Sequence, residues 1–319
     1  MSLSILAGTA EGIHEIDPAG PTGSGGPPSG TTPARPVGPV HLPGLPITFL
    51  AVAVRERWAI VDRREIWRSQ TDGSWIRAAV VGDHRVNCLL PSPGGALIGT
   101  SEAYLLRLDD GTVQPVKAFE HVRGRGEWYT PWGGPPDTRS LSREQEAIYA
   151  NVHVGGIVRS RDEGTTWEPT IDIHADVHQV LSGPDRGMVL AASADGLCLS
   201  MDGGDSWRFD REGLHASYSR AVAVSGNTVL VSASTGPRGK QSAVYRRPLA
   251  GDGRFEKCSQ GLPDWFDDNV NTHCLVAAEE MSAFGTASGS VFLSTDRGGT
   301  WMEIVSGLPA IEALALAAN

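Results

Sequence analysis

Lysine is scarce in this chain: among 27 basic residues only Lys117, Lys240 and Lys257 carry an amine. Schiff-base and pyridoxal-phosphate chemistry, which need a lysine nucleophile, are therefore disfavoured. Cysteine is scarce as well. Cys88, Cys198, Cys258 and Cys274 show no Cys-x-x-Cys spacing, so neither a zinc knuckle nor a disulfide framework is indicated, and buried free thiols are expected. No apolar run approaches the roughly 18 residues that span a bilayer. The stretch from Met1 to Gly8 has no basic segment leading into a long apolar one, so no signal peptide is expected and the expected location is the cytoplasm. Positive charge is in deficit, with Lys+Arg 27 against Asp+Glu 37 and a formal net charge of −10. Nucleic acid and anionic membrane surfaces are accordingly not expected as partners. The sequence specifies no oligomeric state.

What is abundant is glycine, 39 residues, alongside 9 tryptophans in a chain of 319 with 40% hydrophobic residues. That length allows two ordinary domains or one large β architecture. Glycine marks tight turns, and tryptophan in such a background suggests a repeated anchor. Alignment on tryptophan gives Ser160-Arg-Asp162-Glu-Gly164-Thr-Thr-Trp167, Ser200-Met-Asp202-Gly-Gly204-Asp-Ser-Trp207 and Ser294-Thr-Asp296-Arg-Gly298-Gly-Thr-Trp301. A decayed copy runs Ser69-Gln-Thr-Asp72-Gly73-Ser-Trp75. Tryptophans at 75, 167, 207 and 301 fit a period near 46 with one unmarked repeat inside each long gap, the size of a four-stranded propeller blade.

The unmarked repeats emerge from hairpins of alternating apolar and polar residues: Ile5 to Asp17, Trp58 to Ser69, Ala96 to Leu108, Ile148 to Ser160, Met188 to Ser200, Val229 to Arg246 and Ala283 to Ser294. A short apolar strand accompanies each, at Phe49 to Ala53, Val86 to Leu90, Thr138 to Ser142, Val177 to Leu181, Tyr218 to Val222, Thr272 to Val276 and Ile311 to Leu316. The last of these follows the final hairpin, while the first hairpin has none of its own. The expectation is an all-β, seven-bladed β-propeller of four-stranded blades spanning 1–319, closed by pairing of the N- and C-terminal strands, which removes two exposed sheet edges. One segment departs from the pattern. Residues 18–46 hold nine of the 21 prolines and seven glycines and read as an excursion between blades 1 and 2.

The Ser-x-Asp-x-Gly-x-Thr/Ser-Trp octets resemble the Asp-box (BNR) repeat of sialidase-like β-propellers, and the resemblance covers nearly the whole chain. It implies structural roles for Asp162, Trp167, Asp202, Trp207, Asp296 and Trp301: the aspartate ties a tight turn, glycine supplies a positive φ, and tryptophan packs between blades, on the face opposite the substrate face. It specifies architecture and not activity. Sialidases carry an Arg-Ile-Pro segment, three arginines that grip a carboxylate, a Tyr and Glu pair and six blades. This chain has no Arg-Ile-Pro and no such pair, and it counts seven blades, so sialidase activity itself is not expected.

Chemistry is expected where the inner strands converge on a channel. Aligned on Val86, Thr138, Val177, Tyr218, Thr272 and Ile311, the next position reads Asn87, Arg139, His178, Ser219, His273 and Glu312. Two residues before the aligned column's successor stand Arg85, Asp137, Asp176, Ser217, Asn271 and Ala310, and two earlier again His174, His215 and Asn269. A column this polar beside apolar anchors points to a wet or reactive surface. On an extended strand His174-Ala-Asp176-Val-His178 would share one face at about 6.6 Å intervals. His153, His174, His178 and His215 are the expected ligands of a transition metal (Zn, Cu, Fe or Ni), and Asp176, Arg139 and His273 the candidate catalytic residues, with Asp176 behind the ligands, His273 in the same column and Arg139 as an anion clamp. Two aromatic loops place Trp128, Tyr129, Trp132 and Trp265 as candidate binders of a small-molecule or glycan ligand. The reading is a His-rich, metal-binding mouth acting on a small polar molecule by hydrolysis, elimination or oxidation. A sialidase-like glycoside hydrolase and a non-enzymatic binding or assembly scaffold are the alternatives.

Overall fold

The structure is a computed structural model that describes residues 3–19, 38–53, 56–145, 147–251 and 253–318. It is a seven-bladed β-propeller of four-stranded antiparallel sheets. Blade 1 is assembled from both ends of the chain, in the order Ala313–Ala318, Leu3–Thr9, Gly12–Ile16, Val40–His41. Leu3 pairs with Ala318 and Gly8 with Ala313, so the termini close the ring. Blades 2 to 7 start from the inner strands Ile47–Ala53, Val86–Ser92, Asp137–Glu144, Val177–Ser182, Val222–Ser225 and Leu275–Ala278. Outer strands are brief, two residues at Val40–His41, Glu168–Pro169 and Glu256–Lys257. A short outer strand offers little template for unwanted pairing.

Pairing in three inner strands begins later than the apolar pattern suggests, at Val222, Leu275 and Ala313 in place of Tyr218, Thr272 and Ile311. Tyr218 makes one isolated bridge to Ser234, and His273 takes a left-handed φ of 66° that interrupts an extended run. Most of the segment expected as an excursion at 18–46 lies outside the described residues. At its described end Val40 and His41 pair with His14 and Ile13 and complete blade 1.

Buried apolar side chains form seven clusters among the described residues, and each draws on two adjacent blades. Trp167 lies in the cluster between blades 3 and 4, with its ring edge-on to Phe119 at 5.2 Å, and Trp301 in that between blades 6 and 7, 5.0 Å from Phe284. Trp207 is half-buried against the cluster between blades 4 and 5. The four cysteines are buried and free.

The three octets adopt one hydrogen-bonded turn between third and fourth strands. In the last, Asp296 Oδ1 accepts from Thr300 N at 2.8 Å and from Ser294 Oγ at 2.8 Å, while Oδ2 accepts from Thr300 Oγ1 at 2.8 Å. Asp162 and Asp202 repeat the set. Gly298 has a φ of +79°, and a Cβ there would meet Leu230 Cδ2 of the neighbouring blade at 2.7 Å. The decayed copy retains only the Asp72–Ser74 contacts. In an antiparallel blade this turn lies opposite the one between second and third strands, so the octets occupy the face away from the mouth described below.

Blades 1 and 2 are also tied by charge. Arg57 donates to both oxygens of Glu15, at 2.9 and 3.1 Å, and His41 approaches the same carboxylate at 2.8 Å. Burial alone would raise the Glu15 carboxyl, but hydrogen bonds from Arg57, His41 and Ser4 outweigh it and hold it at about 2.

Asp296→Ala should lower stability by about 1 kcal/mol in urea unfolding, since it removes the hydrogen bonds that hold the turn, whereas Asp72→Ala should have the smaller effect. Because the Glu15 carboxyl is depressed in the fold, its contribution is complete above the unfolded pKa and is lost as pH falls toward 2. Glu15→Gln should remove about 1–2 kcal/mol at pH 7 after screening, with the difference from wild type vanishing near pH 2.

Candidate functional site

The inner strands do not start regularly. Register shifts show an extra residue at Thr48, Asn87, Arg139 and His178, the second residue of its strand in three cases and the third at Arg139. A bulge near the start of a strand breaks the two-residue alternation and re-aims the side chain. The polar column is therefore a ring of bulged or turned residues at the channel mouth. Thr48, Asn87, Arg139, His273 and Glu312 from this ring, with Asp137, line a polar cavity of about 300 Å³.

Beside it lies a tighter group. His153 ends the second strand of blade 4, Ala147–His153, and Asp176 and His178 open blade 5. Their ligating atoms all lie within 4.8 Å of one another. His153 Nε2 is 2.9 Å from Asp176 Oδ1, and His178 Nε2 is 3.7 Å from the same oxygen. The extended His-x-Asp-x-His expected from spacing does not form. The Asp172 side chain accepts from His174 N and caps a single 3-10 turn, Ile173–Ala175, and Asp176 follows in the left-handed region at φ 47°. This turn sends His174 outward, where its Nδ1 is 3.5 Å from the Tyr129 hydroxyl, and folds Asp176 back over His178 and His153. His215 is likewise outside the group: its Nδ1 is 2.7 Å from the Tyr245 hydroxyl. The structure thus brings together His153, Asp176 and His178, and it does not bring His174 or His215 to them.

The tautomer of His178 follows from its neighbours. Its Nδ1 is 2.7 Å from the Ser219 carbonyl, which can only accept, so Nδ1 carries the proton and Nε2 presents a lone pair. That nitrogen is buried and has no hydrogen-bond partner among the described residues, while the equally buried Asp176 Oδ1 has His153 Nε2 as its near neighbour. Burial pushes His178 down to about 3 despite the raising influence of Asp176, and burial lowers His153 against the same opposing carboxylate. Desolvation would raise Asp176, but the two imidazoles and Arg139 hold it below its ordinary value. Neutral imidazoles and an ionised carboxylate are the ligand forms for a metal.

The aromatic candidates separate. Trp132, 68% exposed, lies over His153 with ring centroids 5.4 Å apart. Trp128 packs into the blade 3–4 interface, with Arg125 stacked over it at 4.9 Å. Tyr129 turns to His174, and Trp265 sits under the Lys257 ammonium, 3.5 Å from the ring centroid, beside His215. The six octet residues belong to the opposite face.

Across the channel, His273 Nε2 reaches the Arg139 carbonyl at 3.0 Å, and burial holds His273 down to about 4. Thr272 of blade 7 donates to the Arg220 carbonyl at 3.0 Å. Arg63 and Arg220 complete the charged lining of the cavity. Spacing could point to Asp137 and Glu312, which stand in the polar columns. It could not point to Arg63, in a turn with φ 54°, or to Arg220, one residue beyond its column.

No family model matches the chain, and no curated protein matches it. Solved structures do. An ancestral GH74 enzyme superposes with a TM-score of 0.63 at 14% identity, over 87% of this chain and 40% of that one. The GH74 xyloglucanase from Xanthomonas campestris gives 0.61 at 14%, over 81% and 45%. YCF48 bound to D1 peptide gives 0.59 at 17%, over 86% and 88%. At these identities the likeness is one of fold, and the chain spans less than half of either GH74 chain.

His273 stays neutral in the fold below the pH at which it protonates in the unfolded chain, so the unfolded state takes up the proton first and stability falls as pH drops from about 6.5 to about 4. His273→Gln should flatten that part of a pH-stability profile by about 1–3 kcal/mol, read by denaturant melts at successive pH values.

Proposed function

We propose that this propeller binds a transition-metal ion through His153, Asp176 and His178 and acts on a small polar molecule held in the adjoining cavity. The observation that carries the reading is the buried lone pair of His178 Nε2, which has no hydrogen-bond partner among the described residues and lies 3.7 Å from Asp176 Oδ1, the oxygen that His153 Nε2 approaches at 2.9 Å. A buried imidazole lone pair beside a carboxylate oxygen costs free energy unless a cation lies between them. Two imidazoles and one carboxylate suit Zn or Fe, with Cu and Ni the other candidates, and leave coordination positions open.

An ion of this class supplies a Lewis acid and a water acidic enough to ionise near neutral pH. The protein's own groups prepare the surroundings. The Ser219 carbonyl orients His178, and Asp137, paired in register with His153, adds a second carboxylate near that ring. Arg139 lies where an anionic group of the ligand would sit, and Trp132 shields His153 from one side. We read the octets as Asp-box turns with a structural task, because their aspartates are saturated by hydrogen bonds within the turn. The YCF48 structure, spanned over 88% of its length and solved with a peptide, favours a second reading as a binding scaffold.

Elemental analysis of untagged protein separates the two. About one Zn, Fe, Cu or Ni per chain is expected, lost in Asp176→Ala and His178→Ala. Chelator should lower the melting point of wild type by several degrees, on the order of 2–3 kcal/mol for an ion present at 100 times its Kd, and leave the variants unmoved. Metal-free protein with chelator-insensitive stability would overturn the metal reading and favour the scaffold.

A further inference from the structure

The polar cavity holds charges of both signs that do not meet. Arg139 senses Asp137 electrostatically, yet its guanidinium forms no hydrogen bond or ion pair among the described residues. The carboxylates of Asp137 and Glu312 and the guanidinium of Arg63 are equally without side-chain partners there. Arg220 is anchored instead: it donates to Asn271 Oδ1 at 2.6 Å and to the Pro237 carbonyl at 3.1 Å, while its Nε is buried without a partner.

Flexible arginines and carboxylates lining one small cavity ordinarily collapse into bidentate pairs. Here the backbone holds them apart. Asp137 and Arg139 flank Thr138 at the bulge in blade 4, Glu312 precedes the closing strand of blade 1, and Arg220 is fixed by Asn271 of the blade 6–7 connection. Partial burial of Arg139 with no carboxylate in contact costs free energy, a cost that a bound anion removes.

We infer that this cavity is a binding site for a small zwitterion of the amino-dicarboxylate class, its ammonium between Asp137 and Glu312 and its carboxylates on Arg139 and Arg63, with the anchored Arg220 adding a third positive charge to the wall. Three guanidiniums against two carboxylates match a ligand with one more negative than positive group. A cavity of about 300 Å³ limits that ligand to the size of a single amino acid. The inference rests on the mouth being the ligand site, as in the proposed function, but it does not require the metal.

Calorimetric titration with glutamate, glutarate and butylamine tests it, each run with wild type, with chelator-treated wild type and with Asp137→Asn/Glu312→Gln. Glutamate should bind wild type at least ten-fold more tightly than glutarate, which lacks the ammonium, or butylamine, which lacks both carboxylates. The double variant should bind glutamate no better than glutarate while keeping a cooperative unfolding transition, and Arg139→Gln should weaken both acids ten-fold or more. Equal binding of glutamate and glutarate to wild type, preference for butylamine, or no binding of any of the three overturns the inference. Glutamate selectivity that survives the chelator while no metal is found would sink the metal reading and leave this one standing.

Discussion

Every part of this molecule depends on burial between neighbouring sheets. Each of the seven apolar clusters takes side chains from two blades, so no blade has a core of its own. A single four-stranded sheet with two apolar faces is stable only when both are covered, and in a ring each face is covered by the next sheet. Pairing of Leu3–Thr9 with Ala313–Ala318 is therefore more than a strap across the termini: without it, the clusters on either side of blade 1 would open together.

Closing the ring creates a channel lined by inner strand edges, and its two ends are treated differently. On one face the octet carboxylates Asp162, Asp202 and Asp296 are saturated by hydroxyls and amides of their own turns. At the mouth, the carboxylates of Asp137 and Glu312, His178 Nε2 and the Arg139 guanidinium have no hydrogen-bond partner among the described residues. Hydrogen bonds complete on one face and left open on the other are what separates structural turns from a site that awaits a ligand.

Bulges connect the fold to the site. An inner strand that kept strict alternation would send successive residues into the two adjoining blade interfaces, which want apolar groups. The extra residue at Thr48, Asn87, Arg139 and His178 escapes that demand, so a polar side chain can stand at the mouth without disturbing the packing of Ile47, Val86, Thr138 or Val177 beside it. The octets and alternating hairpins made the seven blades readable in the sequence, and the polar column at Asn87, Arg139, His178, His273 and Glu312 was readable too, because both are periodic. Arg63 and Arg220 were not, since their reach into the cavity depends on local turns and not on a period.

The amino-acid sequence by itself determined the blade count, the closure between termini and the structural use of Asp162, Asp202 and Asp296, because turn chemistry and two-residue alternation are local properties that repeat. Only the tertiary structure decided which histidines meet. His174 and His178 are four residues apart and would share a strand face, yet the capped turn at Ile173–Ala175 and the left-handed Asp176 part them, and His153 arrives from the preceding blade. Convergence of that kind is set by a single backbone inversion and by the packing of two sheets, and neither leaves a periodic trace in the order of residues.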